Sequence, residues 1–228
     1  MNIDPSEKRA ALFKKLANPL IMGIELEYNN ATGTSESARV LLFHLLRDHI
    51  IFKQDGSLEE GGFELVSVAA TPKVHLHKFK PMFENFPKTL KITETTGMHI
   101  HVGKTCVSKL TLARVIDFMN STSHLDLITS VAGRIPNTYC RQDTSRNFGF
   151  MLQVPSGGER HNVLNITKPH TFEFRSFISP TKYEQFAKNL EFTQAILDFM
   201  QAGWTNWTPK ETRNEEFFLT FIRNNCKS

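Results

Sequence analysis

Four short segments of the chain alternate apolar side chains with acidic, imidazole or guanidinium groups. They span residues 23–28, 62–66, 98–102 and 172–176, with the sequences GIELEY, GFELV, MHIHV and FEFRS. Successive side chains of a β-strand point to opposite faces of its sheet, so each segment would turn one face to a core and the other to a polar site. The alternation therefore predicts strands of one sheet whose second face is rich in ionisable groups.

The polar positions differ from an ordinary solvated sheet face, which mixes Thr, Lys, Ser and Gln. They are Glu25, Glu27, Glu64, His99, His101, Glu173 and Arg175. Two glutamates on one strand face lie about 6.6 Å apart, where their charges repel unless a cation lies between them. A divalent-metal site is therefore our first interpretation, and a half-exposed sheet with ordinary polar residues is the alternative.

The ligand types favour particular metals. Carboxylate oxygens in excess, with an imidazole and no thiolate, suit Mg²⁺ or Mn²⁺ better than zinc. Several carboxylates on neighbouring strands would hold two or more ions, an arrangement that clamps a transferring phosphoryl group. Asp55, in a turn just before the Glu64 strand, would reach the same site, and Arg175 would neutralise charge on phosphate.

The remaining patterns define the fold class. Helices are expected at 6–17, 35–48, 73–83, 108–132 (one long or two short), 181–202 and 214–225, and further strands at 50–53, 89–93 and 161–166. This order predicts an α+β fold with a largely antiparallel sheet and helices on one side. We expect a single domain over residues 1–228, with the motifs in a core at 20–178 and a C-terminal helical segment at 181–228. His75, in a basic segment without acidic neighbours, is interpreted as a surface residue.

The composition indicates the cellular compartment of the protein more clearly than it indicates the reaction. Three cysteines without a CxxC pair argue against a zinc ribbon or a disulfide framework and fit a reduced compartment. A signal-peptide core is missing and the longest apolar run is too short to span a bilayer, so a cytoplasmic protein without a membrane partner is expected. A net charge of +4 is too small to indicate a nucleic-acid partner.

Several motifs in a fixed order resemble the amidoligase family, carboxylate–amine ligases related to glutamine synthetase and glutamate–cysteine ligase. They are GIELE at 23–27, KQDGSL and GGFELVS within 53–67, TGMHIHVG at 96–103, RIPNTYC at 134–140, ERHNVLNI at 159–166 and HTFEFRSF at 170–177. The resemblance covers residues 20–178. It implies a glutamine synthetase-like catalytic fold, in which an antiparallel sheet curves into a funnel with helices packed on its outer face.

The resemblance also implies roles for individual residues. The metal ligands would be Glu25, Glu27, Asp55, Glu64, His99 and Glu173. The nucleotide phosphates would be bound by His101, Arg160 and Arg175, and the catalytic residues would be Glu27, Glu173 and Arg175. Arg134, Arg141 and Arg146 would be candidates for substrate binding.

The implied activity is an ATP- and Mg²⁺-dependent ligation of a small-molecule or peptide carboxylate to an amine. It would proceed through an acyl phosphate and release ADP and phosphate. The identity of both substrates and assembly into a homo-oligomer stay open. Two alternatives remain, a metal-dependent hydrolase that uses the same acids and histidines, and a nucleotide-binding relative without catalysis.

Overall fold

The computed structural model describes residues 20–31, 36–143, 161–202 and 215–225. Its strands are β1 (Met22–Asn30), β2 (Ile50–Lys53), β3 (Phe63–Ser67), β4 (Leu90–Lys91), β5 (Gly97–Gly103), β6 (Leu164–Asn165) and β7 (Thr171–Ile178). Its α-helices are α1 (Glu36–Leu46), α2 (Pro72–Glu84), α3 (Lys109–Asn120), α4 (Leu125–Ala132), α5 (Tyr183–Ala202) and α6 (Glu215–Asn225). The helix expected at 6–17, together with Arg146 and Arg160, lies outside the described residues.

The strands form an antiparallel sheet in the order β2–β3–β1–β5–β7–β6, and β4 pairs with the end of β1. Because β1 lies between β3 and β5, its two glutamates are at the centre of the sheet. The expected α+β class with an antiparallel sheet is therefore confirmed.

One face of the sheet is apolar and forms the core. Ile24, Leu26, Ile100 and Phe174 are buried on it, as the alternating pattern predicts. All six of the described α-helices contribute buried aromatic or aliphatic side chains to the same cluster: Leu42, Phe79, Phe118, Ile128, Phe186 and Phe218 are examples. With the helices packed on this side, the ionisable side chains of the strands are left on the opposite face.

Local sequence explains several element boundaries. Thr71 caps α2 by accepting a hydrogen bond from the Val74 amide, and Pro72 occupies the first turn, where no amide donor is needed. Ser108 caps α3 in the same way. The region expected to be one long or two short helices is two helices, because the chain turns at Ser121 after α3.

The interpretation of His75 as a surface residue was wrong. Its side chain is fully buried, and it packs in α2 against His49 and Phe79. The basic residues around it lie on the exposed side of the same helix, so the local composition described only that side. Among the described residues, the structure has no helix of sufficient length and apolarity to cross a membrane.

Candidate functional site

The pairing register places the ionisable side chains in three rows across one face of the sheet. Directly opposed residues of antiparallel strands point to the same face. The middle row is Ile51, Val66, Glu25 and His99. The rows on either side are Lys53, Glu64 and Glu27, and Gly23, His101, Glu173 and Asn165. The four alternating segments therefore bring their polar groups together as the sequence predicted.

Glu25 is in direct contact with both histidines of β5. Its Oε2 lies 3.3 Å from His99 Nδ1, and its Oε1 lies 3.0 Å from His101 Nε2. Burial would raise the pKa of Glu25, but the two imidazoles outweigh burial and hold the pKa well below its usual range. Burial likewise lowers the pKa of His101, yet Glu25 and then Glu173 more than compensate, so this pKa is raised.

Glu64 is the neighbour of Glu25 on the other side. Burial, and then the charge of Glu25, raise the pKa of Glu64 to about 8. At neutral pH Glu64 therefore keeps a proton and shares a hydrogen bond with Glu25. Two carboxyl groups held this close behave as one acid and one anion, and a bound cation would allow both to ionise.

Glu27 and Asp55 lie at the opposite end of the site. Glu27 accepts a hydrogen bond of 2.7 Å from the Gly97 amide, and burial raises the pKa of its carboxyl. Asp55 is near enough for its charge to raise that pKa further. Gly97 makes this arrangement possible, because a Cβ there would lie 3.0 Å from His99 Nε2 and 3.3 Å from Glu27 Oε2.

Glu173 is the most deeply buried acid of the cluster, with 1% of its surface exposed. Asn165 Nδ2 donates to its Oε2 at 2.9 Å, and Arg175 Nη1 donates to its Oε1. His99 Nδ1 lies 3.3 Å from the same Oε1. Glu173 thus joins the arginine to the histidines and fixes both.

One group of ligand atoms is already close enough for a single metal ion. Atoms of Glu25, His101 and Glu173 lie within 4.8 Å of one another. The 3.0 Å contact between His101 Nε2 and Glu25 lacks hydrogen-bond geometry, so this buried nitrogen has no hydrogen-bond partner among the described residues. Two carboxylates beside a buried imidazole nitrogen that makes no hydrogen bond within the described residues are a donor set that fits a divalent cation.

The structure brings both histidines of β5 to the same carboxylates. His99 was expected at the metal and His101 at phosphate, whereas His101 completes the closest group of ligand atoms. His99 Nδ1 faces the same two carboxylates at 3.3 Å each. Both imidazoles are thus within reach of one ion.

The candidate substrate arginines have different surroundings. Arg134 donates to the carbonyl oxygens of Thr96, Arg175 and Ser176 at distances of 2.7–3.2 Å, which anchors its loop to the sheet. Arg141 is exposed and lines a second, open groove beside Ile135. Of these two, only Arg134 borders the acidic cluster.

A cleft of about 50 Å³ opens beside the cluster, which is room for one or two waters or ions but not for an adenosine group. The expected site residues that line it are Glu27, Asp55, His99, Arg134 and Arg175. Thr95, Tyr139 and His161 line it as well but were not predicted. Asn165, which donates a hydrogen bond to Glu173, was also missed. The alternation of side chains in HNVLN at 161–165, a segment that precedes the FEFR strand, was a usable signal that Asn165 shares the polar face.

A scan against models of protein families and a search of curated proteins both return no match. The resemblance to amidoligases therefore rests on the sequence motifs alone.

Proposed function

We propose that the chain is an amidoligase, an ATP- and Mg²⁺-dependent carboxylate–amine ligase with a glutamine synthetase-like catalytic fold. We base this on one observation: Glu25, Glu27, Glu64 and Glu173 converge with Arg175 on a single sheet face. Buried acids at this density need a positive partner, and an arginine among them suits a phosphoryl group.

The donor set fits divalent cations. Glu25, Glu173 and a histidine would hold one ion, and Glu27, Glu64 and Asp55 would contribute to a second. When bound, Mg²⁺ would supply charge neutralisation to the ATP phosphates. Two features of this chain support the binding of Mg²⁺. They are the carboxylate oxygens and His101 Nε2, a buried nitrogen that has no hydrogen-bond partner among the described residues.

The position of Arg175 suits a contact with the transferring phosphoryl group. Its Nη1 is fixed by Glu173, and its buried Nε has no hydrogen-bond partner among the described residues. It lines the cleft together with Glu27 and His99. A guanidinium positioned in advance stabilises developing phosphate charge without reorganisation.

The proposed reaction consists of two displacement steps. An oxygen of the substrate carboxylate attacks the γ-phosphorus of ATP, and ADP leaves. The amine then attacks the acyl carbon, the carbon–oxygen bond to phosphate breaks, and the amine loses a proton. One carboxylate oxygen therefore ends in the released phosphate.

This oxygen transfer provides the decisive experiment. The protein is incubated with ATP, Mg²⁺, a panel of amines and a panel of ¹⁸O-labelled carboxylates, and ADP, phosphate and amide are measured by mass spectrometry. We expect ADP and ¹⁸O-phosphate in equal amounts, formed only when both co-substrates are present. Release of AMP and pyrophosphate would contradict the proposal.

Variants test the site itself. Glu27→Gln and Glu173→Gln should each lower turnover at least about 100-fold, because each removes a buried charge from the cluster. Glu84→Gln is the matched control, since Glu84 is exposed on α2 and forms only a surface ion pair with Lys80. Turnover that survives both cluster substitutions would exclude this site as the catalytic centre.

A metal-dependent hydrolase is the second candidate, favoured by the small cleft and by the group of two carboxylates and one imidazole. A hydrolase needs no nucleotide. Hydrolysis of amide or ester substrates with Mn²⁺ or Zn²⁺ in the absence of ATP would favour it over the ligase.

A further inference from the structure

The row of side chains that contains Glu25 and His99 becomes apolar toward the edge of the sheet. Its next members are Val66 on β3 and Ile51 on β2. Ile51 is 57% exposed, and Val68, directly after β3 and bonded through its amide to the carbonyl of His49 just before β2, is 47% exposed. Ile51, Val66 and Val68 form what we call the apolar strip, which continues the polar face.

The core does not require these side chains. The neighbours of Ile51 on β2 are Ile50, which is buried, and Phe52, which packs against Phe63 on the core side. An edge strand more commonly carries polar or charged residues on its outer face. An exposed isoleucine at this position costs solubility, so a binding role accounts for it better than packing does.

Exposure along the site indicates the direction from which a ligand approaches. The exposed side-chain fractions are 2% for Glu173, 6% for Glu27 and 20% for Glu25. The most accessible of these acids is therefore Glu25, which stands directly beside Val66. Of these three acids Glu25 is therefore the one that a ligand lying on the apolar strip would reach, whereas the cleft at the other end of the cluster is lined by Glu27 and Asp55.

We propose that the apolar strip binds the nonpolar side chain of the carboxylate substrate. This assignment rests on the proposed function for the identity of the reacting group. Ile51 lies two strand spacings from Glu25, about 10 Å, which matches an aliphatic or aromatic side chain attached to a carboxylate held at the cluster. The substrate class is thus a carboxylic acid with a sizeable nonpolar group.

Dansylglycine is the probe for this subsite, since it joins a free carboxylate to a naphthalene ring whose fluorescence rises on leaving water. Titration of the full chain in Mg²⁺ should give saturable binding. Ile51→Ser should weaken it about five- to tenfold, because one apolar wall is removed. Ile51→Val should bind almost as the parent does.

Phe43→Ser is the matched control. Phe43 is 55% exposed, a fraction similar to that of Ile51, but it lies on the outer side of α1, which packs on the opposite face of the sheet. Its substitution should leave the affinity for dansylglycine within about twofold. Absence of saturable binding, an unchanged affinity in Ile51→Ser, or an equal loss in Phe43→Ser would overturn the assignment.

Other occupants are separated by two measurements. Sedimentation velocity would reveal a second copy on the strip: a parent dimer that Ile51→Ser dissociates would overturn the substrate assignment. If turnover is found, kcat/KM for acids with nonpolar side chains should fall about tenfold in Ile51→Ser, with KM for ATP unchanged. Because dansylglycine binding needs no turnover, failure of the ligase assay and failure of the subsite are distinct results.

Discussion

Two pairs of histidines in this molecule have opposite surroundings. His99 and His101 lie among carboxylates, and contact with Glu25 raises the pKa of His101. His49 and His75 lie among aromatic rings on the core side, where burial lowers both pKa values, that of His49 to about 4. Carboxylates surround one pair, whereas the environment of the other pair favours the neutral imidazole.

The neutral pair has a definite hydrogen-bond direction. His75 Nε2 lies 2.9 Å from the carbonyl oxygen of Met22 and must donate to it, so His75 Nδ1 is left as an acceptor. His49 Nε2, at 3.1 Å, then donates to His75. This chain of bonds ties α2 to the start of β1, and it fails if His75 is doubly protonated, because its Nδ1–H would then face the donor at His49 Nε2. His49 and His75 thus serve the packing of the core, whereas His99 and His101 lie in an ionic environment on the opposite face of the sheet.

The largest expected effect tests the neutral pair. His75→Ala should lower the free energy of unfolding by about 3 kcal/mol, because it leaves a cavity and removes the acceptor of the buried His49 Nε2 hydrogen bond. His77→Ala is the control, since His77 is exposed on the same helix and should change stability by less than about 0.5 kcal/mol. Urea denaturation measures both, and equal effects would contradict the burial of His75.

The next test addresses the ionic pair. Mg²⁺ at about 100 times its dissociation constant should stabilise the protein by about 2.7 kcal/mol. Thermal denaturation should show the shift in the parent and in His49→Gln. Glu25→Ala should abolish it, because Glu25 contacts both histidines and Glu64. A full Mg²⁺ shift in Glu25→Ala would separate the cation from this cluster.

The two regions should also respond oppositely to pH. Between pH 4 and 6.5 the unfolded chain protonates His49 while the folded chain does not, so stability from this pair rises with pH, by on the order of 1–2 kcal/mol. Between pH 4.5 and 8 the folded chain keeps the Glu64 proton that the unfolded chain loses, so stability from Glu64 falls as pH rises.

Single substitutions separate these slopes. Without metal, Glu64→Gln should flatten the decline toward pH 8, and His49→Gln should flatten the rise above pH 4. Chemical denaturation at several pH values gives both curves. A parent-like slope in either variant would show that another group is responsible.

The smallest expected effect concerns the space beside His99. Gly97→Ala should cost about 1–2 kcal/mol and weaken Mg²⁺ binding, because the new methyl group would push on His99 and Arg134. Gly56→Ala is the control, since no atom lies within 4 Å of its added Cβ. Equal Mg²⁺ affinity in the two variants would indicate that Gly97 is not sterically required.

Much of the candidate site was predictable because strand alternation is a local property. The period of two placed Glu25, Glu27, Glu64, His99, His101 and Glu173 on one face, and the register confirms that they share it. The contribution of Asn165 and the anchoring of Arg134 to three backbone carbonyls depend on residues 8 and about 40 positions away. Alternation within 161–165 indicated the face of Asn165, but no local pattern contains the carbonyl partners of Arg134.

The sequence by itself determined that HIH at 99–101 and the glutamates on neighbouring strands occupy a polar sheet face, since alternation fixes the face of each side chain. Only the tertiary structure decided the state of each histidine. HLH at 75–77 has the same spacing, yet it lies in a helix that turns His75 into the core and His77 to solvent. The charge of an imidazole depends on the dielectric and the carboxylates around it, and packing between distant segments supplies both.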